Sequence, residues 1–234
     1  MARVLPSIEP LYLYRYRPFG SQAQMAREIR AIRNNCLWCS NFDALNDPME
    51  GSYEASPTLL KHPQYESIKS YIAGQKGALG ICSFSETNDN ELMWAHYASH
   101  FSGICLEYYF PQLKKTLPDD VEFVRLFYNE QTHRVFPSTA NSSDIAKKIL
   151  STKSHRWLYE REWRMFSRTA GPQSLYGVSC IRHVYIGKRM PSTFVSELRA
   201  ALDSKGIRYK LMTIDGYSIR FTNPERKRAG GNFK

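Results

Sequence analysis

Residues 77–110, GALGICSFSETNDNELMWAHYASHFSGICLEYYF, predict a buried strand, a polar loop, a short helix and a second buried strand. The strand segments, 77–86 and 103–110, are short apolar runs with β-branched and aromatic side chains, which are typical of strands in a sheet core. The loop TNDNE separates the first strand from the helix LMWAHYASH. This region therefore favours a fold in which strands are joined by short connections.

Alternation of side chains and helical spacing predict further elements on both sides of this region. The predicted strands are residues 11–17, 36–40, 121–129, 161–168 and 180–188. The predicted helices are residues 21–35, 57–75, 143–153 (with a continuation through His155 and Trp157 left open) and 191–205. Residues 209–222 are typical of a β-hairpin that turns at Asp215-Gly216.

These elements predict an α+β fold with a mixed, mostly antiparallel sheet and peripheral helices. Strands outnumber helices and neighbours join by short turns, which disfavours a doubly wound parallel sheet. The chain contains no internal repeat or low-complexity linker. We expect one domain over residues 1–223 and a basic, flexible tail over residues 224–234.

Composition restricts the class of protein. The 234 residues carry a formal charge of +10, which favours a polyanionic or phosphate-bearing partner. The apolar runs are shorter than a membrane span, and the first ten residues do not resemble a signal peptide. The five cysteines, an odd number in apolar surroundings, fit a reducing compartment. We therefore expect a cytoplasmic protein without a membrane partner.

The segment YEREWR at 159–164 is the strongest candidate for acid–base chemistry. On an extended backbone Glu160 and Glu162 lie on one face, about 6.6 Å apart. Carboxylates at that distance repel each other, so that one holds its proton longer. The alternative is that both glutamates pair with Arg161, Arg164 or Lys153 on a solvated face. The aromatic residues around the pair favour a functional role.

Two further groups could hold a sugar or a phosphate. Ser83 and Ser85 share one face at a strand end, where hydroxyl groups can orient a glutamate or a ribose. Arg15 and Arg17 share a face of the first strand, opposite Tyr14 and Tyr16, and an arginine fork can bind a diphosphate. Solvated arginines on an edge strand are the alternative.

The helix after the TNDNE loop supplies a possible base and stacking groups. His96 could act as a general base or as a hydrogen-bond partner of a substrate, while Trp94 and Tyr97 could stack on nicotinamide, adenine or a nucleobase. A histidine satisfied beside a tryptophan is the alternative. Asn46 and Asp47, before Pro48, predict a rigid turn. We predict no metal site, because the chain has no HExxH motif and no paired CxxC motif.

Four segments together resemble a known family. They are LYLYRYRP, LWCSNFDALNDPMEG, GICSFSETNDNELMWAHYASHFSGICLEY and KSHRWLYEREWRMF. In this order they are similar to the bacterial domain of unknown function 2971 family, over about residues 11–188. Leu45 departs from the pattern, since an aromatic residue usually precedes the Asn-Asp-Pro turn. The resemblance implies little about activity.

The arginine, serines and glutamates also resemble the arrangement of mono-ADP-ribosyltransferases. That resemblance implies that Arg17 holds the phosphates of NAD and that Ser83 and Ser85 brace the site. It further implies that Glu162 stabilises the ribosyl oxocarbenium while Glu160 positions or deprotonates the acceptor. Tyr16, Trp94 and Tyr97 complete the predicted NAD-binding residues, with His96 as a further catalytic candidate. The Asn46-Asp47-Pro48 turn and the WAHY block have no counterpart in that arrangement.

Three functions therefore stay open. The first is an NAD-dependent ADP-ribosyltransferase-like enzyme, with NAD as substrate, that modifies nucleic acid or protein and serves as a bacterial toxin or antiphage defence effector. The second is a nuclease or another phosphodiester-cleaving enzyme that uses His96, Asp47 and the glutamate pair. The third is a non-catalytic module that binds nucleic acid.

Overall fold

The computed structural model describes residues 9–177 and 179–224. Its contacts divide the chain into two compact units. The first unit comprises residues 1–13, 34–87 and 110–180, and the second comprises residues 14–33, 88–109 and 181–234, each as far as it is described.

The strands, in chain order, are β1 (Tyr12–Arg17), β2 (Cys36–Cys39), β3 (Tyr53–Ala55), β4 (Gly80–Ser85), β5 (Ile104–Tyr109), β6 (Glu122–Arg125), β7 (Phe127–Asn129), β8 (His133–Val135), β9 (Thr152–Ser154), β10 (Glu162–Ser167), β11 (Gly171–Ser174), β12 (Ile181–Ile186), β13 (Arg208–Asp215) and β14 (Ser218–Thr222). The helices are α1 (Gln22–Arg33), α2 (Pro57–Leu60), α3 (Tyr65–Ala78), α4 (Glu91–Tyr97), α5 (Phe110–Lys115), α6 (Pro137–Ala140), α7 (Ile145–Leu150) and α8 (Ser192–Asp203). Short 3-10 helices cover Phe42–Ala44 and His155–Glu160.

In the first unit, β10 is the middle strand of the order β4-β10-β6 and is antiparallel to both neighbours. Three strand pairs flank these strands: β2 with β11 is antiparallel, whereas β3 with β8 and β7 with β9 are parallel. Helices α3 and α7 pack on each other through an apolar cluster that includes Ile68, Ile72, Ile145 and Ile149. All six side chains of β10 are buried.

In the second unit, the strand order is β14-β13-β12-β5-β1, with Tyr14–Arg17 of β1 belonging to this unit. The pair β12–β13 is parallel, and β5–β12 and β13–β14 are antiparallel. Helices α1 and α8 pack on each other through their apolar faces, and α8 contacts β13. The predicted hairpin is confirmed: Asp215 pairs with Ser218, and Gly216 takes the left-handed conformation of the turn (φ 58°).

The helices and the mixed, mostly antiparallel strand pairings confirm the predicted α+β class. The division into units leaves the prediction of one domain over residues 1–223 a prediction. The tail predicted over residues 224–234 lies outside the described residues except for Pro224. Among the described helices, none has both the length and the apolar character needed to cross a membrane.

Three predicted elements are wrong in extent. Residues 57–75 form two helices, because the chain turns between Lys61 and Gln64. The predicted strand 121–129 divides at Leu126 into β6 and β7, which pair with different strands. The predicted helix 143–153 ends at Leu150, after which β9 pairs with β7 and a 3-10 helix follows. In the second and third cases a pairing with a distant segment overrides the local pattern.

Candidate functional site

The pairing of β4 with β10 places the predicted serines beside the predicted glutamate. Glu162 lies opposite Ser85, and Arg164 lies opposite Ser83. Side chains alternate along each strand, so these four residues share one face of the two strands. Ser83 is one of the groups that lower the pKa of Glu162. The first unit therefore brings together the Ser-x-Ser and Glu-x-Glu motifs.

Glu160 and Glu162 converge through a different backbone from the extended one that was expected. Glu160 ends the 3-10 helix, Arg161 takes the left-handed conformation (φ 43°), and Glu162 begins β10. Both carboxylates nevertheless contact the ammonium group of Lys153, at 2.6 Å for Glu160 and 3.2 Å for Glu162. The left-handed conformation of Arg161 thus brings the two carboxylates together, as an extended segment was expected to do.

Lys153 and Arg164, the alternative partners expected on a solvated face, pair with the glutamates in a buried ionic cluster, which Glu50 completes. Glu50 was not among the predicted residues. Lys153 contacts Glu50 at 2.9 Å in addition to the two glutamates. Arg164 binds Glu162 at 2.7 Å and Glu50 at 2.9 Å. The side chains are at most 5% exposed. The cluster, which we define as Glu50, Lys153, Glu160, Glu162 and Arg164, formally contains three negative and two positive charges.

The cluster keeps Glu162 ionised. Burial opposes the charged form, but Arg164, Lys153 and the hydrogen bonds from Ser83 and Arg164 outweigh it and lower the pKa of Glu162 to about 2. Burial also opposes the charged form of Lys153, yet its three carboxylate neighbours raise its pKa above the usual value. Glu162 is therefore a permanent anion near neutral pH and Lys153 a permanent cation. This electrostatic setting excludes the neutral amine that a lysine nucleophile requires.

Ser85 and Tyr128 support the backbone around the cluster. The hydroxyl of Ser85 donates to the carbonyl oxygen of Glu160 at 2.7 Å and accepts from the amide of Thr87. The amide of Glu162 donates to the hydroxyl oxygen of Tyr128 at 2.8 Å. Burial raises the pKa of Tyr128, so its hydroxyl stays protonated. Ser85 thus holds the backbone of Glu160 in place.

The predicted Asn-Asp-Pro turn is confirmed, and it carries Glu50 into the cluster. Asp47 accepts hydrogen bonds from the amide of Met49 through its side chain and from the amide of Glu50 through its carbonyl. Asp47, Glu50, Lys153 and Trp157 line a cavity of about 450 Å³, which we call the Asp47 cavity. The other lining residues are Met49, Ser52, Asn129, Glu130, Gln131, Thr132, His133, Thr152, Ser154 and Arg156.

The remaining predicted residues lie in the second unit. The positive charges of Arg15 and Arg17 both stabilise the ionised form of Glu28, a buried residue of α1. Arg17 binds Glu28 in bidentate fashion, with both distances 2.7 Å. Burial opposes ionisation of Glu28, but the arginines outweigh it and lower its pKa. Arg17 is therefore neither a solvated edge arginine nor a wholly available phosphate ligand.

Tyr16 and Trp94 belong to the core of the second unit. Their rings meet edge-on, with ring centroids 5.3 Å apart, and the ring of Trp94 also contacts that of Phe221. Trp94 is fully buried, and its indole N–H donates to the carbonyl of Asn88. In this arrangement Trp94 offers no ring face for stacking on a ligand.

His96 is exposed and Tyr97 is half-buried at the end of α4. Their rings contact each other edge-on, with centroids 6.3 Å apart. Over residues 9–177 and 179–224, no group of three or more His, Cys, Asp or Glu side chains could hold a metal ion.

Residues 93–165 match the model of the family described as "Protein of unknown function (DUF2971)". This match supports the resemblance found from the four segments, over less than a third of the chain. No curated protein and no solved structure matches the chain. The similarity to ADP-ribosyltransferases therefore has no support from relatives.

Proposed function

We propose that this protein is an NAD-dependent ADP-ribosyltransferase-like enzyme that modifies a macromolecule, with Glu162 as its catalytic carboxylate. The pairing of β4 with β10, which places Ser83 and Ser85 on one face with the ionised Glu162, carries the proposal. It brings the two motifs that the predicted arrangement requires onto neighbouring strands. Ser83 is exposed, so a substrate has access to a hydroxyl on the same face as the carboxylate.

The reaction requires stabilisation of a positive charge. When the bond between the ribose and nicotinamide breaks, the electron pair leaves with nicotinamide and the ribose becomes an oxocarbenium cation. The acceptor then bonds to that carbon and loses a proton. A fixed carboxylate with little water around it stabilises such a cation more strongly than one in bulk water. The excess negative charge of the buried ionic cluster supports this role for Glu162.

Glu162 is suited to electrostatic stabilisation and not to proton donation, because its pKa is about 2. Glu160 would position the acceptor, but its carboxylate binds Lys153 at 2.6 Å and would have to share that partner. Arg17 binds Glu28 through Nε and Nη2, and Nη1 keeps donors for a phosphate. The roles predicted for Glu162, Glu160 and Arg17 are thus compatible with the contacts within their own units, whereas the stacking predicted for the buried Trp94 is not.

The experiment measures nicotinamide released from NAD, together with label transferred from NAD to protein and nucleic acid. We expect Glu162→Gln to abolish release and Ser83→Ala to reduce it by about tenfold, because the carboxylate loses a neighbouring hydroxyl that favours its charged form. Ser174→Ala, which removes an exposed hydroxyl from β11, is the matched control and should retain full activity. Circular dichroism of each variant establishes that it is folded.

The proposal is contradicted if the unmodified protein releases no nicotinamide. It is also contradicted if folded Glu162→Gln releases nicotinamide at the normal rate. Ser83→Ala guards the test against unfolding, since it alters an exposed side chain instead of the cluster.

Binding of nucleic acid is a second candidate, favoured by the charge of the second unit. Its residues include thirteen lysines and arginines against seven acidic residues, a net charge of +6. Incubation with RNA and DNA distinguishes three outcomes: cleavage supports the phosphodiesterase alternative, label transfer supports ADP-ribosylation of nucleic acid, and salt-sensitive binding without product supports a binding module.

A further inference from the structure

The Asp47 cavity has features of a ligand site that the proposed reaction does not use. About 450 Å³ is within the range of small-molecule pockets. Two charged side chains that line it, Glu50 and Lys153, are only 4% and 5% exposed. Part of the cavity wall, which we call its floor, is therefore formed by charged side chains that are themselves buried in the first unit.

Asp47 contributes a carboxylate to the lining of the cavity. The residue is 7% exposed, and its Oδ1 accepts from the amide of Met49 at 2.9 Å. A carboxylate has about four acceptor positions, so Asp47 can accept further hydrogen bonds from an occupant of the cavity. Asp47 therefore favours an occupant that donates hydrogen bonds.

Lys153 does not make the cavity a site for anions. Its ammonium group has three N–H donors, and three carboxylates lie at 2.6, 2.9 and 3.2 Å from it. No donor is left for a phosphate or carboxylate in the cavity. Two cationic side chains, Lys153 and the exposed Arg156, line the cavity, against three acidic ones, Asp47, Glu50 and Glu130.

The buried ionic cluster next to this floor also has a net negative charge. Lys153 and Arg164 together neutralise two of the three carboxylates of the buried ionic cluster, which leaves one formal negative charge close to the cavity. A chain of net charge +10 thus contains a local acidic cavity. A cation is the ligand that this field favours.

Trp157 favours a planar cation that can stack on its ring. Its indole lines the cavity, and the ammonium of Lys153 already lies 5.0 Å from the ring centroid. A guanidinium group is planar, stacks on aromatic rings and donates in bidentate fashion to carboxylates. Glu50 can still accept a further bond, since a carboxylate has about four acceptor positions.

We propose that the Asp47 cavity binds an organic cation through a guanidinium group, which donates to Asp47 and Glu50 and stacks on Trp157. The site shares Glu50 and Lys153 with the buried ionic cluster, but the proposal does not depend on ADP-ribosyl transfer, because ligand binding is measured without NAD. The chemical class is an alkylguanidine, whether free or as the side chain of a peptide.

Isothermal titration calorimetry of the full chain with agmatine, without NAD, tests the site. We expect a dissociation constant of about 1 mM or tighter. The urea analogue of agmatine keeps the primary ammonium but has a neutral group in place of the guanidinium, and it should bind at least about tenfold more weakly. Asp47→Asn should weaken agmatine binding by about tenfold or more, while its amide oxygen still accepts from Met49 and keeps the turn.

Asp43→Asn makes the same change at an exposed position of the same segment and should leave binding unchanged. Trp157→Leu should weaken agmatine by a larger factor than it weakens butylamine, which cannot stack as a plane. The proposal is overturned if the unmodified protein does not bind agmatine, if Asp47→Asn binds it normally, or if the urea analogue binds equally well. Equal binding of butylamine and agmatine overturns the guanidinium assignment.

Discussion

The two units of this chain distribute charge in opposite ways. The described residues of the first unit contain fourteen lysines and arginines and fourteen acidic residues, so the net charge is zero. Yet this unit buries five formally charged side chains in one cluster. The described residues of the second unit carry a net charge of +6, and most of their basic side chains are exposed. Net charge therefore indicates the partner of a surface, whereas the chemistry of a site depends on which charges are buried.

The contrast has an energetic reason. Each charge of the first unit's cluster has lost its water and depends on the other members for compensation. An exposed arginine of the second unit keeps its hydration and interacts weakly with its neighbours. Loss of one member should consequently have a large effect on stability in the cluster and a small effect at an exposed position.

The largest expected effect follows from Lys153→Met. This change leaves three buried carboxylates with Arg164 as their cationic partner in the cluster, and we expect a loss of about 3–5 kcal/mol in the free energy of unfolding. Urea unfolding followed by circular dichroism measures it. Lys147→Met, which removes a partly exposed partner of Glu122, should cost at most about 1 kcal/mol. Equal losses in the two variants would contradict the contrast between buried and exposed charge.

A smaller effect is expected from pH. The folded pKa of Glu162 is about 2, below its ordinary value of 4.5, so folding favours the ionised form. Its contribution to stability is fully present above pH 4.5 and is lost as the pH falls through about 2. The urea midpoint should therefore fall more steeply from pH 5 to pH 3 in the unmodified protein than in Glu162→Gln. Glu28, whose pKa is also lowered, should leave some dependence of the urea midpoint on pH in both proteins. If the midpoint falls equally steeply in the two proteins, Glu162 does not contribute to the pH dependence of stability.

The sequence predicted the motifs of the site and named Arg164 and Lys153 as alternative partners of the glutamates, but it placed that pairing on a solvated face and did not include Glu50. The α+β class, the strand with Ser83 and Ser85, and the Asn-Asp-Pro turn follow from local patterns, which alternation and turn chemistry determine. The convergence of the two glutamates was also predicted, although the left-handed Arg161 that produces it leaves no local signal. An arginine at such a position carries no glycine or asparagine signature.

The cluster could not be predicted as a whole, because its members meet through tertiary structure. Glu50 and Arg164 are 114 residues apart in the chain, and their contact depends on the turn at Asp47 and on the position of β10. Lys153 lies on β9, a strand that the sequence assigned to a helix. A helical assignment also gives the wrong direction for its side chain. The proximity of a glutamate to the Asn-Asp-Pro turn was the one signal that pointed to Glu50.

The smallest expected effect concerns the exposed charge of the second unit. Arg208 is exposed on β13, opposite His183 of β12, beside a cavity of about 720 Å³ in that unit. If a polyanion binds this surface, Arg208→Gln should weaken binding of a labelled oligonucleotide and reduce the slope of log affinity against log salt by about 1. Fluorescence anisotropy at several salt concentrations measures both quantities. Arg134→Gln, at an exposed arginine of the first unit that pairs with Glu54, is the matched control and should leave the slope unchanged. The comparison fails if both variants lower the slope equally, because the charge excess of the second unit would then not determine where the oligonucleotide binds.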